Sequence, residues 1–168
     1  RFKPKGRSQS AKIKTGRAQM LKVLVTGGAG FIGSNFVRHL MRERGFRVRV
    51  LDKLTYAGNL ENFPAGFWKD RRFEFIRGDV CNRTVVRDVL KGVDAVVNFV
   101  AETHIDRSID DLTPFVRTDF VGTAVLLDEF RRNPCERFVQ VSTCEVYGSA
   151  RRVPMDEAHP IEPQSPYA

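Results

Sequence analysis

A chain of 168 residues with 42% hydrophobic and 29% charged residues is long enough for one domain with a real core, and this balance excludes a disordered polymer. The net charge of +8 suggests a nucleic-acid binder until it is located: residues 1–20 hold seven of the 28 basic residues and no acid, leaving 21 basic against 20 acidic residues in the rest. No apolar stretch has the length of a secretory signal or a membrane span, and neither Cys81, Cys135 and Cys144 nor His39, His104 and His159 show metal-ligand spacing, so a cytoplasmic protein with no metal and no membrane partner is expected.

Residues 1–20 lack hydrophobic periodicity, which predicts a disordered tail. Three readings of it compete: an artificial or reading-frame extension ahead of a start at Met20, a basic arm for nucleic acid, and a transit peptide. The first is favoured because Met20 immediately precedes "LKVLVT" (21–26), an apolar run that reads as a buried parallel strand. In "FIGSNFVRHLMRERG", Phe36, Val37, Leu40 and Met41 recur at helical spacing, with Gly45 as the stop. "FRVRVLD" (46–52) alternates as a second strand, "LTYAGNLENFPAG" is a turn-rich loop with room for a short helical turn, and "FEFIRGD" (73–79) is a third strand.

Asn82 is placed to cap a helix reaching about Lys91, with Val85, Val86, Val89 and Leu90 inward. "DAVVNFVA" (94–101) is apolar on both faces and reads as a central fourth strand followed by a loop. Thr113 then suits an N-cap and Pro114 the first helical position, with Phe120, Ala124, Leu127 and Phe130 or nearby residues as the buried stripe. "RFVQVST" (137–143) is a fifth strand, and the Pro-rich remainder is loop. This alternation predicts an α/β fold over residues 21–168: a doubly wound parallel sheet of the Rossmann type, helices on both faces, ligands at the carboxyl ends of the strands.

"TGGAGFIG" (26–33) puts Gly27, Gly30 and Gly33 between the first strand and helix. That spacing serves a tight turn, a close approach to pyrophosphate, and close packing of helix on strand, with free N–H groups facing the phosphates. Asp52 lies 19 residues past Gly33, where a carboxylate accepts ribose hydroxyls and repels a ribose phosphate. This favours NAD over NADP, although Lys53 beside it pulls the other way. Asp79 suits an adenine contact and a capping turn almost equally.

The segments "GGAGFIGSNFVRHL", "LDKLTYAGNLEN", "GDVCNR", "AETHIDRSI", "TDFVGTAVLL", "STCEVYG" and "SPYA" resemble, in order, the dTDP-glucose 4,6-dehydratases of the extended short-chain dehydrogenase/reductase superfamily. The resemblance covers about residues 21–168. It implies a NAD site at Gly27, Gly30, Phe31, Ile32, Gly33, Asp52, Lys53, Thr55, Gly58, Asp79, Val80, Ala101 and Thr118, with Thr103 near the sugar. It implies that Thr143 hydrogen-bonds the reacting hydroxyl, that Glu145 removes the proton beside the new ketone, and that Tyr167 is the tyrosine of a Tyr-x-x-x-Lys pair. The lysine would stand at position 171, past Ala168, so a chain cut before the substrate-binding part and of low or no activity is expected. A homodimer built from helices including 114–132 is implied as well.

Cys144 departs from the family pattern, which has aspartate there as the acid for the leaving hydroxyl. A thiol, of reference pKa about 8.5, is a weak donor, and losing a positioned acid costs roughly 10²–10⁴-fold in rate. GDP-mannose dehydratases and UDP-glucuronate decarboxylases resemble this pattern with serine at the position. A weakened acid and a simple space-filler stand level as readings of Cys144, and a nucleophile is disfavoured. Asp119 stands where the superfamily has asparagine, and Val100 where it has alanine. Dehydration of dTDP-glucose is therefore the leading activity. The competing readings are a related epimerase or decarboxylase, and a non-catalytic NAD-binding module whose basic tail engages nucleic acid.

Overall fold

The computed structural model describes residues 20–168; the basic tail, Met20 apart, lies outside the described residues. The elements are β1 (Leu21–Thr26), α1 (Phe31–Arg42), β2 (Phe46–Asp52), β3 (Phe73–Arg77), α2 (Arg83–Val89), β4 (Ala95–Asn98), α3 (Ile105–Asp110), the continuous helix α4 (113–132) and β5 (Arg137–Gln140). Short 3-10 turns occupy Leu60–Asn62, Ala65–Lys69 and Cys144–Tyr147. All strand pairs are parallel, in the order β3-β2-β1-β4-β5, so the doubly wound α/β expectation holds.

Alternation along the strands decides which helix covers which face. Val23 and Val25 of β1, with Val48 and Val50 of β2, pack against Val37, Leu40 and Met41 of α1. Leu24 and Val96 point the other way, against Val86, Val89 and Leu90 from α2 and its end and Val125 and Leu126 of α4. Fully buried side chains of this size contribute about 1.5–3 kcal/mol each, so the paired faces hold the sheet between its helices. Asn82 caps α2 as expected, its side-chain oxygen accepting from the Thr84 and Val85 amides.

Three strands are shorter than their apolar runs. Parallel pairing needs a partner, and β1 turns away after Thr26. The Phe99 N–H to Thr26 oxygen bond, 2.9 Å, is therefore the last rung on that side of β4. β5 ends by the same logic: the Val141 N–H reaches the Asn98 oxygen at 3.1 Å, and nothing of β4 lies beyond to pair with 142–143. β3 stops at Arg77, where the Gly78 N–H meets the Asp52 oxygen at the end of β2. Helix α1 ends at Arg42, with the Glu43 N–H turned back on Leu40, three residues before Gly45. The stretch after β4 is not all loop, since α3 forms there.

Helix α4 brings the largest correction. It starts as an α-helical turn (Thr113–Phe115), widens into π turns over Val116–Gly122, and resumes as α-helix over Thr123–Arg132. Thr113 is in the first turn, not the cap; its N–H is held by the Asp111 carboxylate at 2.9 Å. Phe120, Ala124 and Leu127 face outward, Phe120 with 73% of its surface exposed. Phe115, Gly122, Val125, Leu126 and Glu129 face inward instead. Phe130 is half-buried, tilted against Phe138 with ring centroids 5.3 Å apart. The helix carries two apolar stripes, and burial of a charged residue selects between them. Glu129 is inaccessible to solvent because Arg83 (2.8 Å) and Arg87 (3.0 Å) of α2 reach across to its carboxylate. Arg87 and Arg83 hold that carboxyl below its ordinary range. Among the described residues no helix is long and apolar enough to cross a membrane.

Candidate functional site

The turn between β1 and α1 is built on glycine. Gly27 takes a left-handed φ of 69°, and a Cβ there would sit 2.7 Å from the Val100 nitrogen. At Gly33 a Cβ would come within 2.3 Å of the Gly27 oxygen, so the helix lies directly on the turn. Gly30 differs: an added Cβ meets only the Gly27 oxygen, at 3.4 Å, and stands in open space at the cavity wall. Helix α1 begins with no side-chain cap and no acid in its first turn. Its first amides, at Phe31 and Ile32, are thus left for an outside acceptor. Both side chains are exposed, 82% and 63%.

Asp52 closes the turn from the side. Its Oδ2 accepts the Ala29 N–H at 2.9 Å and its Oδ1 accepts the Leu54 N–H at 2.8 Å. Each carboxylate oxygen has a second acceptor site, so the group can still take two hydroxyls. Leu54 is held at φ 59°, a sparsely populated conformation for a branched residue. Lys53 does not stand free beside Asp52; its Nζ pairs with Asp79 Oδ2 at 2.7 Å. Partial burial works to raise the Asp79 carboxyl, but hydrogen bonds from Lys53 and Cys81 outweigh it and hold it below the usual range. Asp79 takes the turn role, accepting the Cys81 N–H, and it also lines the cleft. Gly27, Gly30, Asp52, Lys53, Thr55, Gly58, Asp79, Val80, Ala101 and Thr118 all line one narrow cleft of about 90 Å³.

Gly27, Gly30 and Ala101 line both that cleft and a larger cavity of about 780 Å³, so the two adjoin. Phe31, Ile32, Gly33, Thr103, Thr143 and Tyr167 line it, together with Tyr56, His104, Asp119 and Gln140. Gln140 on its wall ends a polar ladder that sequence reading missed: Thr26 bonds Asn98, and the Asn98 amide donates to Gln140 at 2.9 Å. The signal was present, as polar residues at the carboxyl ends of three neighbouring strands, but it needs the strand order to be seen. Tyr56, which also lines the large cavity, donates to Glu102 at 3.0 Å, and the Arg107 guanidinium lies 4.6 Å from the Tyr56 ring centre. Partial burial and the Glu102 carboxylate push the Tyr56 phenol above its ordinary value. Asp119, on the π stretch, accepts the Glu102 N–H at 2.8 Å; burial pushes its carboxyl up to about 6.

The residues expected to act on a substrate are only partly brought together. Thr143 caps the Cys144–Tyr147 turn, its Oγ1 accepting the Glu145 N–H at 3.1 Å, and it lines the large cavity with Tyr167. Tyr167 is fixed edge-on against Phe115, with centroids 6.2 Å apart. Cys144 is exposed, and neither it nor Glu145 belongs to the cavity wall, although Val146 between Glu145 and Tyr147 does.

The GDP-mannose 4,6 dehydratase family model matches residues 24–168. The chain is 50% identical over 153 residues to a dTDP-glucose 4,6-dehydratase of Streptomyces niveus, an alignment covering 88% of this chain and 45% of that protein. A crystal structure of dTDP-glucose 4,6-dehydratase from Streptomyces venezuelae with NAD bound is similar at a TM-score of 0.82 and 45% identity, covering 88% of this chain and 47% of that one. A UDP-glucose 4-epimerase from Brucella ovis in complex with NAD is similar at a TM-score of 0.78 and 30% identity, covering 88% and 43%. The chain spans about half the length of the curated relatives it matches.

Proposed function

The chain belongs to the GDP-mannose 4,6 dehydratase family, and on that premise we propose that residues 21–168 are the NAD-binding part of a nucleotide-sugar 4,6-dehydratase acting on dTDP-glucose. The observation that carries the reading is the pair of adjoining cavities that share the glycine turn and reach Tyr167. Its residues fit NAD: a side chain at Gly30 would fill the cradle, the start of α1 is uncapped, and Asp52 keeps acceptor sites free. Gly27, Gly30, Phe31, Ile32 and Gly33 would hold the pyrophosphate, and Asp52 a ribose. Lys53, Thr55, Gly58, Asp79 and Val80 would enclose the adenosine end, and Ala101 and Thr118 the middle of the molecule. When bound, NAD supplies a hydride acceptor that can give the hydride back.

The chain's own groups then move protons. Thr143 Oγ1 already accepts an amide hydrogen, so its hydroxyl hydrogen is free to donate to a sugar oxygen. Tyr167 takes the proton from the sugar hydroxyl being oxidised, for which a phenol needs nearby positive charge. Glu145 removes the proton beside the new ketone, turning in from its position next to Val146. Cys144, or water beside it, meets the departing hydroxyl. We also infer a homodimer through α4, whose Val116, Phe120 and Leu127 are exposed, and a cytoplasmic setting that suits three free cysteines.

Isothermal calorimetry of NAD on the folded chain tests the premise, and 4-keto sugar formation from dTDP-glucose tests the reaction; absence of NAD affinity overturns both. A related epimerase or decarboxylase is the second reading. It is favoured by Cys144 and Glu145 lying off the cavity wall while Thr143 and Tyr167 line it. NMR of the products separates the three: dehydration removes the sixth-carbon hydroxyl, epimerisation keeps it, and decarboxylation releases carbon dioxide.

A further inference from the structure

We propose that Asp119 sets the charge of the cavity that ends at Tyr167, and that its ionised form makes this chain prefer the oxidised dinucleotide over the reduced one. The inference rests on the NAD reading above and deepens it.

Asp119 is the one acidic side chain on the wall of the large cavity among the described residues. The π turns place it there, on the same wall as Thr123 and facing the ends of β1 and β4. Its Oδ1 is held by the Glu102 N–H, so the carboxyl is fixed in position and cannot swing out to solvent without losing that bond. No cation pairs with it among the described residues. The charged and titratable groups around it are engaged elsewhere or stand further along the wall. The Glu102 carboxylate is turned to the Tyr56 hydroxyl, and Arg107 stacks on Tyr56. His104 and Tyr167 line the cavity. Burial raises the Asp119 carboxyl to about 6; the Glu102 amide lowers it and the Glu102 charge raises it further.

The two redox forms of the dinucleotide share their adenosine and phosphates and differ in one charge. The oxidised nicotinamide ring is cationic and the reduced ring is neutral. On the NAD reading the adenosine end fills the narrow cleft and the ring falls in the large cavity, where a carboxylate attracts the first and leaves the second almost unaffected, whereas the protonated carboxyl treats them alike. Opposite unit charges several ångströms apart in a partly solvated site are worth roughly a tenfold difference in affinity. Linkage requires the converse as well: the oxidised form must make Asp119 easier to ionise by the same factor.

Two measurements on the chain test this. The first is affinity for the oxidised and the reduced dinucleotide at pH 5 and pH 7.5, in the parent and in Asp119→Asn. The expected result is a roughly tenfold gain in relative preference for the oxidised form at the higher pH in the parent and none in the variant. The second needs no variant: carbon-13 NMR titration of the Asp119 carboxyl, with the expected midpoint about one pH unit lower under saturating oxidised than reduced dinucleotide. A pH-independent preference, a preference retained in Asp119→Asn, or equal midpoints with both forms bound would overturn the role of Asp119 while leaving the NAD reading intact. If neither form binds at any pH, both are overturned.

Discussion

The two ends of the cavity are built differently. At the glycine turn several backbone groups are tied to neighbouring elements. Ala29 gives its N–H to Asp52, and its carbonyl receives both the Asn59 N–H and the Asn62 side-chain amide. The Gly27 N–H is tied to Leu51 of β2, and the turn sits over a layer of fully buried valines. The segment after β5, which brings Thr143 and Tyr167, has one short 3-10 turn and otherwise isolated turns, and is held by a few spaced bonds. The Glu162 N–H reaches Val146 at 3.0 Å, Ser149 bonds Gln164 at 3.0 Å, and Arg151 pairs with Glu162. His159, buried there, accepts the Arg151 N–H on Nε2 and faces the Pro160 carbonyl with Nδ1, which fixes the neutral tautomer protonated at Nδ1. The end proposed to bind the coenzyme is thus part of the fold's core, and the end proposed to do proton chemistry is tethered to it.

Substitutions can break that comparison, starting with the largest effect. Gly33→Ala forces a methyl against the Gly27 carbonyl, and about 3 kcal/mol of global stability should be lost, read as a lower denaturant midpoint. An unchanged midpoint would show that the turn yields more easily than its packing implies. Asp52→Asn keeps the shape but removes the charge. NAD affinity should fall roughly 10–100-fold in calorimetry, because hydrogen bonds to a charged group are worth about 1.5–3 kcal/mol.

Asp119→Asn bears on the joint between the two ends. A carboxyl raised from 3.8 to about 6 by folding lends stability at pH below 3.8 and withdraws it as pH rises through 6. The asparagine variant should therefore be more stable than the parent at pH 7.5, by about 1–2 kcal/mol, with the difference shrinking toward pH 4 in thermal melts. The smallest effect belongs to the tethered end. His159→Leu removes one acceptor, costs about 1 kcal/mol locally, and should speed exchange of the Arg151 amide while amides of β1 and β4 stay protected. If those strand amides were to exchange faster too, the segment would be part of the core, and the contrast drawn above would fail.

The glycine spacing, Asp52 at the end of β2 and the Asn82 cap were all legible, because each depends on residues close in sequence meeting a local backbone requirement. The stripe expected at Phe120, Ala124 and Leu127 was not, since Glu129 counts as an outward residue until two arginines from α2 are seen to reach it. The strand ends were overestimated for a related reason: an apolar run marks what can be buried, while its pairing partner decides where the strand stops. Thr143 and Tyr167 were named through family resemblance, and Cys144 and Glu145 with them, yet the short turn at 144–147 leaves the last two off the cavity wall.

What the sequence determined by itself was the order of strands and helices, the glycine turn and the acid that faces it, since hydrophobic period and backbone freedom are properties of short stretches. Tertiary structure alone decided which face of α4 packs, that Lys53 spends its charge on Asp79, and that Asp119 stands half-buried on the cavity wall. Those outcomes depend on distances between groups tens of residues apart, and burial and charge act through space whatever the separation along the chain.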